Sequence, residues 1–139
     1  MALIGRLHPL LVHFPIALVL IAAVAETLAT ATGGWRWRTV AIANVRAGAA
    51  FAFIAAIAGW RLAMAPGMDA SGLLEPHRWL GVVAAAAAVT AALVSAAADG
   101  RSGPRTVLYR LLLFTAAALV AAAGHVGGLL VWGSDFFKL

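Results

Sequence analysis

Cysteine is absent from the 139 residues. That absence excludes disulfide bonds, thiolate-held iron–sulfur clusters, covalent attachment of c-type haem and thiol catalysis together. Charge is scarce as well: Asp, Glu, Lys and Arg make up 11% of the chain, against about a quarter in soluble domains. So little charge leaves most of the surface unsuited to water. The sequence has no HExxH, no GxSxG, no Walker loop and no facing carboxylate pair, so hydrolytic and phosphoryl-transfer chemistry lacks its residues. Lys and Arg outnumber Asp and Glu by 10 to 5. These basic residues are scattered between apolar runs, however, and form none of the stripes or tails that hold nucleic acid.

What is present in quantity is hydrocarbon. Hydrophobic residues make up 64% of the chain and the mean hydropathy is +0.99, which fits lipid as the main solvent. A bilayer core takes about 20 residues of helix, so the chain supplies four spans with short connections. The spacing predicts them at about 9–31, 39–65, 76–98 and 107–132. Pro9 opens the first, Gly33-Gly34 ends it, Pro66-Gly67 closes the second, Asp99-Gly100 closes the third and Gly103-Pro104 precedes the fourth. Pro15 is expected to kink the first span near its start. The runs are rich in Ala and Leu without period-two alternation, so the fold class is all-α, an integral membrane four-helix bundle and one domain. Ala84 to Ala88 read as helix filler. Arg6 ahead of an apolar stretch, with small residues at 29–32, outlines a cleaved leader; the segment is read instead as a retained first span.

Four alternating spans put both termini and the 61–78 loop on one side, here side A, and the other two loops on side B. Side B carries Arg36, Arg38, Arg101, Arg105 and Arg110, with Arg46 in the adjoining half of span two. Side A carries Arg6, Arg61, Arg78 and Lys138 together with Asp69, Glu75 and Asp135. The positive-inside rule then places side B in the cytoplasm of a bacterial inner membrane and side A, with both termini, in the periplasm. Trp35 and Trp37 on one side, and Trp60, Trp79, Trp132, Phe136 and Phe137 on the other, suit interfacial belts. Glu26 and Arg46 are at depths that allow a structural salt bridge.

The same count gathers every histidine at side A. His8 opens span one, His13 lies further in and His77 opens span three. His125 is reached after span four has climbed roughly 27 Å at about 1.5 Å per residue. His13 and His125 lie deepest, where polar side chains are costly and usually functional. Two imidazoles from facing helices are suited to gripping a metal or a haem iron axially. His8 and His13 are five residues apart, about 140° around a helix, and so do not ligate as one simple pair unless a proline bends the chain. Gly124, Gly127 and Gly128 flank His125, and Gly81 follows His77 by one turn; they serve either close helix packing or a groove beside a flat macrocycle. Asp69, Glu75 and Asp135 are candidates to hold ligand histidines from behind.

The stretch from His8 through Pro9, His13, Phe14 and Pro15 to Leu18 resembles the opening signature of a bacterial family of predicted membrane proteins, domain of unknown function family twenty-two thirty-one. Gly124-His125-Val126-Gly127-Gly128 through Trp132-Gly133 resembles its closing signature. The resemblance covers essentially the whole chain and carries over His8, His13 and His125, with His77 the weakest match. Some members are joined to Rieske or cytochrome c type domains, which implies electron transfer. The reading is a small b-type cytochrome-like subunit of a respiratory chain, more in keeping with electron transfer than with a stand-alone enzyme. It would hold one or two haem b groups near the periplasmic face and exchange electrons with a periplasmic cytochrome or other redox partner, or with quinone. Its rivals are a non-haem copper or zinc protein using the same histidines, and a cofactor-free structural subunit of a larger membrane complex.

Overall fold

The computed structural model describes residues 5–68, 72–98 and 102–133, all helix or short connection. Asp69, Asp99, Gly100, Arg101, Asp135, Phe136, Phe137 and Lys138 lie outside the described residues. The helices are α1 His8–Leu11, α2 His13–Thr32, α3 Trp35–Ala63, α4 Leu74–Ser95 and α5 Pro104–Trp132. α1 and α2 form one span broken at a single residue, Val12. The break follows from Pro15, which has no N–H to offer the Leu11 carbonyl and whose ring crowds it. Among the described residues four helices, counting α1 and α2 together, are long and apolar enough to cross a membrane.

Three boundaries differ from the expected ones for a common reason. α3 starts at Trp35 rather than near Thr39, α4 at Leu74 rather than Pro76, and α5 at Pro104 rather than Val107. Helical geometry continues past the edge of the apolar run until a residue stops it. Gly33 in the left-handed region at φ 66° and Gly103 at φ 139° are such stops, and Pro104 is preset for a first helical turn. At 29 residues each, α3 and α5 are about 43 Å long, overshooting a hydrocarbon core of about 30 Å.

α2 packs on α3, α3 on α4, α4 on α5, and α5 closes the ring against α2. The inner faces are mostly alanine, with Val19, Val45, Tyr109 and Leu113 the bulky exceptions. Ala84, Ala85 and Ala88 are buried, so the alanine tract is a packing face rather than filler. Small residues let helix backbones approach, which is how helices adhere in lipid where no hydrophobic drive separates them from their solvent. Gly48 shows the closeness: a Cβ there would lie 2.8 Å from Val19 Cγ2 and 3.2 Å from Leu18 Cβ. Gly48→Ala is therefore expected to destabilise the bundle by about 1–3 kcal/mol through overpacking. An unfolding titration in mixed micelles reads this directly, and an unchanged midpoint would contradict the α2–α3 contact.

Outward faces carry large apolar side chains such as Val24, Leu93 and Leu111, each at least three-fifths exposed, as lipid contact requires. Polar side chains within the spans are satisfied locally: Thr27, Thr30, Asn44 and Thr90 each donate to the carbonyl four residues back.

Candidate functional site

At side A the bundle does not close. His8 reaches from the start of α1 across to α3, where its Nδ1 lies 2.9 Å from the Ala55 carbonyl oxygen. A carbonyl only accepts, so Nδ1 carries the proton and Nε2 keeps its lone pair. The imidazole rests on Gly59, where a Cβ would come within 2.6 Å of His8 Cε1. No residue but glycine leaves that space. His77, in the first turn of α4, lies in a matching notch on α5: a Cβ at Gly127 would meet its Cε1 at 3.0 Å. Two glycine notches on α3 and α5 thus orient two histidines from α1 and α4. The ring centres stand 6.2 Å apart at an interplanar angle of 72°. Nδ1 of His77 is buried beside the Ala123 carbonyl without a well-formed hydrogen bond.

Both rings line a cavity of about 720 Å³ whose other walls include Pro15, Trp60, Arg78 and Val120. Gly81 and Gly128 also line it, and a Cβ at either would meet nothing within 4 Å. Those two glycines border open space, while Gly59 and Gly127 are filled by imidazole. At the side-A end, the Arg78 guanidinium carbon lies 4.0 Å from the Trp60 ring centre, and Trp60 meets Trp79 edge-on at 5.7 Å. Arg78 Nε is buried with no hydrogen-bond partner. A cation held against an aromatic face with an unfulfilled donor is suited to an anionic group.

The residues expected from the sequence divide. His8 and His77 come together, and Gly127 and Gly128 contribute to their site. His13 lines the cavity but belongs to an exposed residue of α2, and His125 is exposed and outside the lining. The cavity thus includes His13 and not His125, and does not by itself bring the two together. Gly124 also lines the cavity and gives room to Ile16, whose Cδ1 would lie 3.2 Å from a Cβ there. Among the described residues no three His, Cys, Asp or Glu side chains converge as an ion would require. Glu75 is exposed. Gly59 and the Ala55 carbonyl carry no motif in the sequence, and Trp60, expected as an interfacial residue, also holds Arg78. A lone glycine inside Ala55-Ala56-Ile57-Ala58-Gly59, costing about 1 kcal/mol of helix propensity against alanine, was the available signal.

The opposite end is closed by charge. Glu26, fully buried on α2, receives Arg110 Nε of α5 at 2.8 Å and lies 3.2 Å from Arg38 Nε of α3. Arg46, expected as its partner, instead donates from Nε to Ser95 Oγ of α4 at 3.1 Å. Arg38 also lies over the buried Tyr109 ring, 5.7 Å from its centre.

The model of a family described as "Predicted membrane protein (DUF2231)" matches residues 6–136. No curated protein and no solved structure matches the chain.

Proposed function

The chain belongs to the DUF2231 family of predicted membrane proteins, and on that premise we propose that it is a haem-binding electron-transfer subunit, with His8 and His77 as the two axial ligands. The observation that carries this reading is the imidazole pair standing 6.2 Å apart on one cavity. A metal binds an imidazole nitrogen at about 2.0–2.1 Å and the ring centre lies about 1 Å behind that nitrogen, so two imidazoles on opposite sides of one metal have centres about 6 Å apart. The pair is spaced for one metal between them, and two ligands match an axial set better than a three- or four-histidine copper or zinc site.

The donor set fits the group in other respects. His8 has its tautomer fixed by the Ala55 carbonyl, the backing that metal-ligating histidines usually have. The cavity is mainly apolar, of a size that takes a cofactor, and Gly81 and Gly128 leave its wall open. Arg78, with its unfulfilled Nε, is placed to meet a carboxylate of the cofactor at the interface. The haem would supply one-electron chemistry. The chain's own part would be to hold the group through His8 and His77, shield it from water among alanine and glycine, and meet its carboxylate with Arg78.

Side B carries the arginine excess, so the haem lies near the periplasmic face of a bacterial inner membrane. A periplasmic cytochrome or a quinone at that interface would be its exchange partner. Haemin titrated into the purified chain is expected to saturate at one per chain and give a six-coordinate low-spin spectrum. Saturation without that spectrum, or no binding, would overturn the assignment; stoichiometric copper or zinc in its place would favour the metal reading.

Gly59→Ala tests the notch. Its Cβ would come 2.6 Å from the His8 ring, so the ring must move and axial ligation from α1 weakens. The variant is expected to bind haem roughly tenfold more loosely, the low end of the scale seen when groups supporting a metal ligand are lost. Gly48→Ala, which is far from the histidines in sequence, should leave haem affinity unchanged.

A further inference from the structure

Tyr109 is the chain's sole tyrosine, and it is fully buried in the side-B half of α5. Its hydroxyl has no hydrogen-bond partner among the described residues. The same holds for Oε2 of Glu26, fully buried on α2, which Arg38 Nε meets at 3.2 Å without hydrogen-bond geometry. We propose that a water molecule sits between these two atoms and hydrogen-bonds both. This site stands apart from the haem assignment.

Buried polar groups are almost always hydrogen-bonded, to protein or to ordered water, and within the bilayer the helix backbones have already used their donors and acceptors on one another. The two atoms belong to one cluster. Arg38 reaches Glu26 and also lies over the Tyr109 ring, 5.7 Å from its centre, while Arg110, the residue after Tyr109, bonds the other Glu26 oxygen at 2.8 Å. The Glu26 carboxylate is among the charges felt at the Tyr109 hydroxyl. Both contacts of Arg38 are looser than their counterparts: Arg78 lies 4.0 Å from the Trp60 ring centre, and Arg110 is closer to the carboxylate.

The chemistry of the two atoms selects the occupant. A carboxylate oxygen only accepts, so the occupant must donate, which disfavours an anion; a cation would face the guanidinium groups of Arg38 and Arg110. A phenol both donates and accepts. Water is neutral and does both, and buried waters typically make about 2–4 such bonds. It also has a source. Tyr109 lies five residues into α5, about 7.5 Å from its side-B end, and α5 exceeds a hydrocarbon core of about 30 Å by about 13 Å shared between its two ends. Helical side chains lean toward their helix's N-terminus, here side B, so the hydroxyl is carried toward the headgroups. The Arg38 and Arg110 side chains keep 16% and 23% of their surface exposed, so the cluster borders the hydrated interface.

With one tyrosine in the chain, the tyrosine Fermi doublet in the Raman spectrum reports on Tyr109 alone, and its intensity ratio tells a hydrogen-bonded phenol from an unbonded one. The purified full chain is expected to show the bonded ratio. A density map of the same protein that resolves ordered water should place one within hydrogen-bond distance of both Tyr109 Oη and Glu26 Oε2. Tyr109→Phe keeps the ring under Arg38 and removes only the hydroxyl. Its thermal unfolding midpoint should fall by a few degrees, because the water loses a partner, whereas removing a buried hydroxyl that bonds nothing would leave the midpoint unchanged or raise it. The two wild-type measurements stand whether or not the variant folds. An unbonded Raman ratio, a map that resolves other waters but leaves the hydroxyl without one or bonded directly to protein, or a Tyr109→Phe midpoint at or above the wild-type value would each overturn the proposal.

Discussion

His77→Ala is expected to lower haem retention at least roughly tenfold, the lower end of what loss of even a supporting group costs a metal site, and to convert any remaining haem to a five-coordinate form. The same result is expected for His8→Ala. Each ring is held by a separate helix and seated in a glycine notch of another. Removal of one therefore leaves the other in place, still able to ligate from one side only. His125→Ala should leave the spectrum unchanged, because His125 is exposed and does not line the cavity. His13→Ala should alter affinity modestly at most, since that residue borders the cavity without joining the facing pair. Optical spectra of the four purified variants decide between the pairs. Loss of six-coordination in His125→Ala with its retention in His77→Ala would restore the deeper histidines as ligands.

Glu26→Gln should be the most damaging single change at the other end, lowering stability by about 3–5 kcal/mol. Glu26 is completely buried, and it is the carboxylate on which Arg38 and Arg110 converge. Its neutralisation removes the buried carboxylate that both guanidinium groups reach, and breaking a buried ion pair from one side is costly. Arg110→Met should cost less, because Arg38 still faces the carboxylate. The two changes together should cost less than their sum, since the arginine removed is one of those stranded by the loss of Glu26. Arg46→Met combined with Glu26→Gln should be additive instead, because the hydrogen bond of Arg46 runs to Ser95 on α4. Unfolding midpoints of these variants distinguish the pairing seen here from the Glu26–Arg46 pair that depth alone suggests. Additivity with Arg110 and coupling with Arg46 would contradict the structure.

The contrast between those pairings shows how far depth can be read from sequence. Lipid forces each backbone group into a helix, so span number, alternation and the height of every polar residue follow from counting. That is why His8, His13 and His77, which line one cavity, were legible as lying towards one end of the bundle. Azimuth was not. All four spans are apolar on every side, with leucine and valine outside and alanine inside, so no polar face marks which way a helix turns. His8 and His13 are about 140° apart, and nothing in their span says which of them turns inward. The choice is made by Gly59 and the Ala55 carbonyl on α3, residues about 50 positions away that only packing brings beside His8. For the same reason Gly127 was legible as a small residue near His125, while its contact, the His77 ring, was not. Glu26 and Arg46 match in height, but Arg38 and Arg110 lie on the two helices flanking α2 and reach the carboxylate first.

The most direct test of the central assignment is a dithionite-reduced minus oxidised absorption spectrum of the purified wild-type chain, with haem quantified as the pyridine haemochrome. One haem b per chain with the sharp α and β bands of a bis-histidine low-spin iron is the expected result. A colourless protein prepared with haem in excess would contradict it.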